Sequence, residues 1–338
     1  MTSMQTQKPS SRTAWALGGV AVGCTLPIFV CLCLTLTSVV GFSSLFNTDV
    51  TSTTTLSTVS STYISGPRSG PAVAVIDISG QITSGEDDAS AFGSTSSAAS
   101  GPVIRAIRAA ASDPNVMAIL LRVDSPGGSV IGSDEMYHAL RKSGKPIVVQ
   151  MKSMAASGGY YVSMAADYIV AHPDTLTGSI GVISEFTNYE GLYDKLGLKS
   201  RIIKSGENKD FGSPTVPFTA DDEKLWQKVI DEAYDNFVQI IAERRGLPLD
   251  EVRKLADGRV YTGRQAAALK LIDSLGYYED ALSEAAKRGG IEGEPRVLLF
   301  QRRNTWTQLL SQSMAQAMLQ ALGLPVQMAQ TGVSLQYR

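Results

Sequence analysis

One serine lies where several requirements of nucleophilic catalysis coincide. Ser157 follows an apolar run, 146–151, that predicts a buried strand, and it begins a run of small residues that predicts a helix over 157–166. A hydroxyl at a helix N-terminus lies beside unpaired backbone N–H groups and the positive end of the helix dipole, which stabilise an oxyanion. Gly158 and Gly159 allow a substrate backbone to approach. Alone, the pattern is more typical of an N-cap serine followed by glycines for helix packing than of a nucleophile.

A second glycine-rich turn, Asp124-Ser-Pro-Gly-Gly128, follows another predicted buried strand at 116–123. Ligand-binding loops of α/β folds follow strands in this way. Two consecutive glycines can direct a backbone amide toward a carbonyl oxygen, although Pro-Gly-Gly is also typical of an ordinary turn. This loop together with Ser157 indicates attack on a carbonyl more strongly than either feature alone.

A serine nucleophile needs a general base, and the chain offers few. Its two histidines, His138 and His172, lie on a predicted helix and at a predicted strand end, and we interpret both as structural. Lysine is the remaining choice, because burial disfavours the charged ammonium and yields a neutral amine that accepts a proton. Spacing alone does not select among the candidates Lys152, Lys204 and Lys209.

Composition excludes other kinds of site. All three cysteines fall between residues 24 and 33, so cysteine nucleophiles, thiolate zinc sites and disulfides are excluded from the rest of the chain. Two histidines are too few for a multi-histidine metal centre. The 30 basic and 32 acidic residues are interspersed and form no basic face, which argues against a nucleic-acid partner.

Strands and helices alternate around these residues. Strands are predicted over 72–82, 116–123, 146–151, 168–171 and 199–203, and helices over 102–111, 133–142, 157–166 and 220–245. Apolar strands alternating with helices are typical of an α/β fold with helices packed on a mainly parallel sheet.

The N-terminal region has the pattern of a membrane anchor. Residues 14–42 are uncharged and apolar over more than the roughly 20 residues that a transmembrane helix requires. Lys8 and Arg12 precede the segment and Asp49 follows it, which predicts residues 1–13 in the cytoplasm and the bulk of the chain outside. A cleaved signal peptide is the alternative, but its apolar region would be shorter and followed by a small-residue cleavage site.

Three further regions complete the predicted organisation. Residues 43–70 are rich in serine and threonine and are interpreted as a tether. Residues 71–303 form the main folded domain, and residues 304–338 form an apolar-striped helix and tail. The glutamines of this last helix favour a packing or subunit-contact role over a second membrane span.

Five stretches of the main domain resemble the signal peptide peptidases of the protease IV type, which are serine proteases with a Ser/Lys dyad. They occur in the family's order across residues 72–300, and five ordered matches are more specific than any single one. The stretches are Asp124–Gly128, Met154–Tyr160, Thr177–Val182, Ser205-Gly206 with Lys209-Asp210 and Gly212–Pro214, and Asp257–Gly263.

The resemblance implies a role for each matching residue. Ser157 would be the nucleophile, Lys209 the general base and Ser179 a hydroxyl that helps to hold the lysine. The amides of Gly128 and Gly158 would contact the oxyanion. No metal and no cofactor is required for this chemistry.

The resemblance also implies an architecture and a substrate. Residues 71–303 would form a spiral of strands and helices similar to Clp protease and crotonase, assembled into a homo-oligomeric ring that completes the dyad across a subunit or domain boundary. The substrates would be apolar peptides, particularly signal peptides left in the membrane, cut at the extracytoplasmic face. The chain departs from the family at Lys270, where glycine is usual, which would alter a local turn but leave the dyad untouched.

Two other functions fit parts of the pattern. A catalytically inactive ring of the same fold could organise membrane proteins, but the intact Ser157, Lys209, Gly128 and Ser179 argue against it. A crotonase-like acyl-CoA enzyme would share the glycines, but an outward-facing domain has no supply of CoA. The protease is the function that we predict.

Overall fold

The computed structural model describes residues 59–86 and 97–302, and the structural account below concerns these residues. No helix within these two ranges has the length and apolar character needed to cross a membrane. The predicted membrane segment 14–42, the first part of the predicted tether and the predicted helix 304–338 lie outside the described residues.

The described residues alternate between strands and helices. The strands are β1 (Val59–Ser65), β2 (Ala72–Ser79), β3 (Gln81–Thr83), β4 (Ser97–Ala99), β5 (Val116–Ser125), β6 (Ile147–Ala156), β7 (Tyr168–Ala171), β8 (Leu176–Gly178), β9 (Val260–Thr262), β10 (Ser274–Leu275) and β11 (Arg296–Arg302). The helices are α1 (Ser100–Ser112), α2 (Val130–Arg141), α3 (Gly158–Ser163), α4 (Glu190–Lys195), α5 (Ala220–Arg245), α6 (Leu249–Leu255), α7 (Gly263–Ala268) and α8 (Tyr278–Arg288), with a 3₁₀ helix at Glu207–Asp210.

A mostly parallel sheet forms the centre of the fold. Its strand order is β1-β11-β2-β5-β6-β7-β10, and every neighbouring pair from β11 to β10 is parallel, whereas β1 is antiparallel to β11. The end of β6 also pairs in parallel with β8, which pairs with β9 in the antiparallel sense. The predicted α/β class with a mainly parallel sheet is therefore confirmed.

The first parts of the central strands β2, β5 and β6 are mostly apolar, because both faces of the sheet are covered there. On β5, Leu121 belongs to the larger core cluster, which also contains Ile107 of α1 and Met136 of α2, whereas Leu120 faces the opposite way and packs in the cluster that contains Ala285 of α8. Burial on both sides makes β5 and β6 a rigid centre. The loops at their carboxyl ends therefore start from fixed positions.

Two sequence predictions are corrected. Val59–Ser65, assigned to the tether, form strand β1, because their alternating partly buried Val59 and Tyr63 pack on the core while the backbone bonds to β11. Residues 199–203 were predicted as a strand but form neither strand nor helix. Their β-branched residues have the propensity, but no described strand lies beside them, and Ile203 is 93% exposed.

Lys270 adopts the conformation that glycine prefers. Its φ is 59°, in the left-handed region, and the turn after α7 is closed by the Leu271 amide donating to the Ala266 carbonyl at 2.8 Å. The Lys270 carbonyl accepts a hydrogen bond from Arg245 Nε at 2.9 Å. The turn is therefore formed with lysine in place, at the conformational cost of a side chain in this region.

Replacing Lys270 with glycine is expected to stabilise the fold. Relief of the left-handed strain outweighs the greater entropy of glycine in the unfolded chain, for a net gain of about 0.5–1 kcal/mol. Denaturant unfolding measures the change. Ala268→Gly, at a right-handed helical position of α7, is the control and should lose about 0.5–1 kcal/mol. Equal destabilisation by both substitutions would contradict the strain at Lys270.

Candidate active site

Ser157 lies at a sharp turn between β6 and α3. Its φ is 51° and its ψ −119°, a conformation that costs a non-glycine residue on the order of 1–3 kcal/mol. The turn is held at both ends: the Ser157 amide donates to the Gly178 carbonyl at 2.8 Å, and its carbonyl accepts from the Tyr161 amide at 2.9 Å. This strand-turn-helix arrangement is that of a nucleophile elbow, which projects the hydroxyl out of the backbone.

The Asp124–Gly128 loop packs directly against this turn. A Cβ atom placed on Gly127 would lie 2.6 Å from the Gly158 nitrogen and 2.8 Å from Ser157 Cβ, so only glycine permits this approach. A Cβ atom on Gly158 would lie 3.3 Å from the Gly128 nitrogen. The backbone nitrogens of Gly128 and Gly158 are therefore neighbours beside Ser157, as a pair of oxyanion contacts requires.

Strand β3 fixes the glycine loop from its other side. The Ile82 amide donates to the Gly127 carbonyl at 2.8 Å, and the Ile82 carbonyl accepts from the Ser129 amide at 2.9 Å. This pairing brackets Gly128 without using its amide. The loop is thus held by its flanking groups, and the Gly128 N–H does not take part in the pairing with β3.

Ser179 enters the same site from β8. It has a φ of 49° and follows Gly178, whose carbonyl holds the Ser157 amide, while its own amide donates to the Arg259 carbonyl at 2.8 Å. A groove of about 500 Å³ contains both serines. It is lined by Gln81, Pro126, Gly127, Gly128, Val130, Ser157, Ser179, Gly181, Val182, Ile183 and Gly258. Three of the five predicted site residues, Ser157, Ser179 and Gly128, line this groove, and Gly158 lies next to Ser157 at the start of α3.

A narrow apolar recess of about 30 Å³ opens beside Ser157, between α3 and the long helix α5. Ala233 and Phe237 of α5 form one side, and Val130 and Val182 form others. Its size matches a small apolar side chain. The recess therefore fits the side chain of a peptide residue whose carbonyl carbon lies at Ser157.

Tyr161 holds the wall of this recess. Its hydroxyl donates to Asp134 Oδ1 at 2.6 Å and accepts from Asn236 Nδ2 at 3.1 Å, and its ring lies 5.1 Å from that of Phe237. Burial, followed by the bond to Asp134, raises the pKa of Tyr161 far above its usual value, so the hydroxyl stays a donor. Sequence reasoning missed this residue, although its position four residues after Ser157 on a predicted helix places it on the same helix face.

No lysine lines the groove or the recess at Ser157 among the described residues. Lys209 lies exposed on the 3₁₀ helix and has no ion-pair partner within the described ranges. The other two candidates are paired, Lys152 with Asp124 at 3.5 Å and Lys204 with Asp210 at 2.7 Å. A single chain therefore assembles the serine and its amides but does not bring the predicted base to them.

Both histidines lie away from the groove, in agreement with a structural role. The His172 ring accepts a hydrogen bond from the Asp174 amide at Nδ1, 3.1 Å away, and meets the Tyr277 ring edge-on at 5.3 Å. His138 lies in the last turn of α2, with its ring 5.9 Å from that of Tyr137. Neither histidine is a candidate base for Ser157 in this chain.

Comparison with known proteins identifies similar chains. The sequence profile of Peptidase family S49 matches residues 139–292. A protein of Synechocystis sp. named "Putative protease" is 36% identical over 222 residues, which cover 65% of this chain and 75% of that protein. A protein of Enterococcus faecium named "Putative signal peptide peptidase" is 43% identical over 178 residues, 52% of each chain.

A third similar protein is considerably longer. "Protease 4" of Salmonella typhi is 39% identical over 221 residues, which cover 64% of this chain and 35% of that protein. The matched region thus spans about half of the Enterococcus protein and about a third of the Salmonella protein.

Gly127→Ala is expected to inactivate the site. The added methyl group would displace Ser157 or the Gly158 amide, and a misplacement on the order of 1 Å at a reacting group costs about 10²-fold in rate. The measurement is the rate at which a fluorophosphonate labels Ser157. Gly144→Ala is the control, because Gly144 also has a positive φ, 69°, but no heavy atom lies within 4 Å of its Cβ position. Equal labelling of both variants would contradict the packing described.

Proposed function

This chain belongs to the serine endopeptidases of Peptidase family S49, and on that premise we propose that it cuts peptide bonds with Ser157 as nucleophile and Lys209 as general base. One observation carries the proposal: Ser157 stands at a strained elbow with the backbone nitrogens of Gly128 and Gly158 beside it. That arrangement suits acyl transfer, in which charge develops on a carbonyl oxygen.

The reaction follows from this geometry. Neutral Lys209 Nζ takes the Ser157 proton as Oγ bonds to the carbonyl carbon, and the amides of Gly128 and Gly158 stabilise the resulting oxyanion. Collapse of the intermediate breaks the C–N bond, and Lys209 gives its proton to the leaving amine. Water then attacks the acyl-enzyme with Lys209 again as base, which releases the second product and restores Ser157. Ser179 holds the lysine in place.

We propose that the copies form a homo-oligomeric ring in which the Lys209 that acts on one Ser157 comes from a neighbouring copy. Lys209 is exposed and has no ion-pair partner within the described residues. The chain between β8 and Lys209 carries exposed apolar side chains such as Ile183 and Ile203, which are 91% and 93% exposed. Apolar surface of this kind is typical of a subunit contact. Burial of a lysine in such a contact disfavours the ammonium form and so favours the neutral amine that the reaction needs.

The substrates that we propose are apolar peptides, remnant signal peptides above all. The apolar recess beside Ser157 supports this class, as does the name of the Enterococcus relative. The sequence pattern of residues 14–42 supports a single-pass anchor in the cell membrane with the peptidase on the extracytoplasmic side. For residues 71–303 we propose the spiral of strands and helices found in Clp protease and crotonase.

Two inactive variants test both the dyad and its assembly. Ser157→Ala and Lys209→Ala should each lower kcat/KM for an apolar peptide by about 10⁴-fold or more, because each removes a group that makes or breaks bonds. Full-length subunits of the two variants, mixed and reassembled, should recover part of the activity, since a mixed contact joins an intact Ser157 to an intact Lys209.

The outcomes separate the possibilities. Inactive variants without recovery on mixing would place both groups of the dyad in one chain. Activity of Lys209→Ala would reject Lys209 as base, and a wild-type chain inert toward varied apolar peptides would favour the inactive ring scaffold. Ring mass, measured for every sample, confirms that the compared proteins are assembled alike.

Ala233→Leu tests the recess as the pocket for the residue before the scissile bond. The larger side chain fills the recess, so kcat/KM should fall about 10–200-fold for peptides with alanine at that position and much less for peptides with glycine. Glu232→Leu, one residue earlier on the exposed side of α5, is the matched control and should leave the alanine-to-glycine ratio unchanged. A ratio that Ala233→Leu does not change would assign this residue's pocket elsewhere.

A further inference from the structure

The 3₁₀ helix that carries Lys209 has little backbone support of its own. Residues 196–206 before it and 211–219 after it form no strand or regular helix. A 3₁₀ helix of four residues contributes little stability because its hydrogen-bond geometry is poor. The position of Lys209 therefore depends on side-chain contacts to this short helix.

Lys204 contacts both ends of the helix. Its Nζ donates to the Glu207 carbonyl at 2.7 Å and to Asp210 Oδ1 at 2.7 Å. The Asp210 side chain is only 19% exposed, and its hydrogen bond to Lys204 lowers the pKa of Asp210, so the carboxylate stays charged and paired. One ammonium group thus joins the first and last residues of the helix.

A pocket lies beside this short helix. It has a volume of about 590 Å³ and is lined by Lys204, Glu207, Asn208 and Asp210, whereas Lys209 is exposed and is not among its lining residues. Just beyond the helix, the Phe211 ring stacks on Trp226 of α5 at 5.3 Å, which anchors the segment to the rest of the fold.

The charges around Lys204 would act on Lys209 if Lys204 were absent. Glu207, Asp210, Asp221 and Asp222 line the pocket, and Lys204 is the single cation among its lining residues. A carboxylate freed from Lys204 would attract the neighbouring ammonium of Lys209. An opposite charge within about 4–6 Å favours the charged form and raises the pKa of a lysine.

We propose that Lys204 is a positioning residue for Lys209: it clamps the 3₁₀ helix, occupies the Asp210 carboxylate and leaves Lys209 unpaired to act as base. The inference rests on the proposed function, because it assigns a task to a residue next to the proposed base. It gives Lys204, a candidate base by sequence, a different task. The ion pair with Asp210 argues against Lys204 as the base, and the same ion pair leaves Lys209 without a carboxylate partner.

Lys204→Met in the full-length chain tests the proposal through the pH dependence of kcat/KM. Activity requires neutral Lys209, so kcat/KM rises with pH along one limb of its profile. Loss of the Lys204 cation and release of the Asp210 carboxylate both favour the charged form of Lys209, so this limb should move to higher pH by about one unit or more, with about a tenfold loss of kcat/KM at a pH below the limb. KM should change little.

Two further variants distinguish an electrostatic effect of Lys204 on Lys209 from a purely structural effect on the helix. Lys204→Met combined with Asp210→Asn removes both partners, so its rising limb should return to the wild-type position or below. Lys204→Arg keeps the cation and should stay close to the wild-type limb. Lys287→Met is the matched control, because Lys287 forms an exposed ion pair with Glu284 at 3.4 Å on α8, and its limb should not move.

The possible results are distinct. A Lys204→Met limb that coincides with the wild-type limb, while Lys209→Ala is inactive, overturns the inference and leaves the proposed dyad intact. Activity of Lys209→Ala overturns the proposed function instead. If Lys204→Met does not assemble, Lys204→Gln, which also removes the cation, decides: a raised limb supports the inference, and a limb at the wild-type position overturns it.

Discussion

The close contact between Gly127 and the turn at Ser157 is the constraint on which the site depends. A serine with a φ of 51° is strained, and the surroundings must supply the free energy that keeps it there. The Gly178 carbonyl holds the amide side of the turn, and the Gly127 backbone lies so near that no side chain fits between them. The same contact that stabilises the turn aligns the neighbouring amides with the serine.

The parallel sheet explains why this contact forms. Strands β5 and β6 are adjacent and parallel, so the loops at their carboxyl ends, Asp124–Gly128 and Ser157–Gly158, emerge on the same edge. Strand β8 pairs with the last residues of β6 and brings Ser179 to that edge. Helix α5 adds the apolar wall. The proposed nucleophile, two amides, a second hydroxyl and a recess are thus brought together by the register of three strands and the position of one helix.

The proposed base has the opposite physical requirement. A lysine must lose its proton to act on Ser157, and an exposed lysine stays charged near neutral pH. Within a single chain Lys209 is exposed, on a short helix whose ends are tied by Lys204. In the proposed ring, assembly would supply the burial that the chain by itself does not, and the separation of serine and lysine would keep the isolated subunit inactive.

The α/β class, the strands β5 to β7 and the helix α5 were predictable from the sequence, as was the position of Gly128 and Ser157 in turns after buried strands. These features depend on apolar periodicity and on glycines next to strand ends, which are local properties of the chain. The sequence by itself did not determine that Val59–Ser65 complete the sheet, that residues 199–203 lack a strand partner, or that Tyr161 joins Asp134 and Asn236. Each of these depends on which distant residues become neighbours.

The choice among the three lysines shows the same division. Their spacing from Ser157 is equally uninformative for all, because sequence distance does not measure distance in space. Folding pairs Lys152 and Lys204 with carboxylates and leaves Lys209 without an ion-pair partner within the described residues. The reason is that the pairing of a charge depends on the positions of groups far apart along the chain, which only folding brings together.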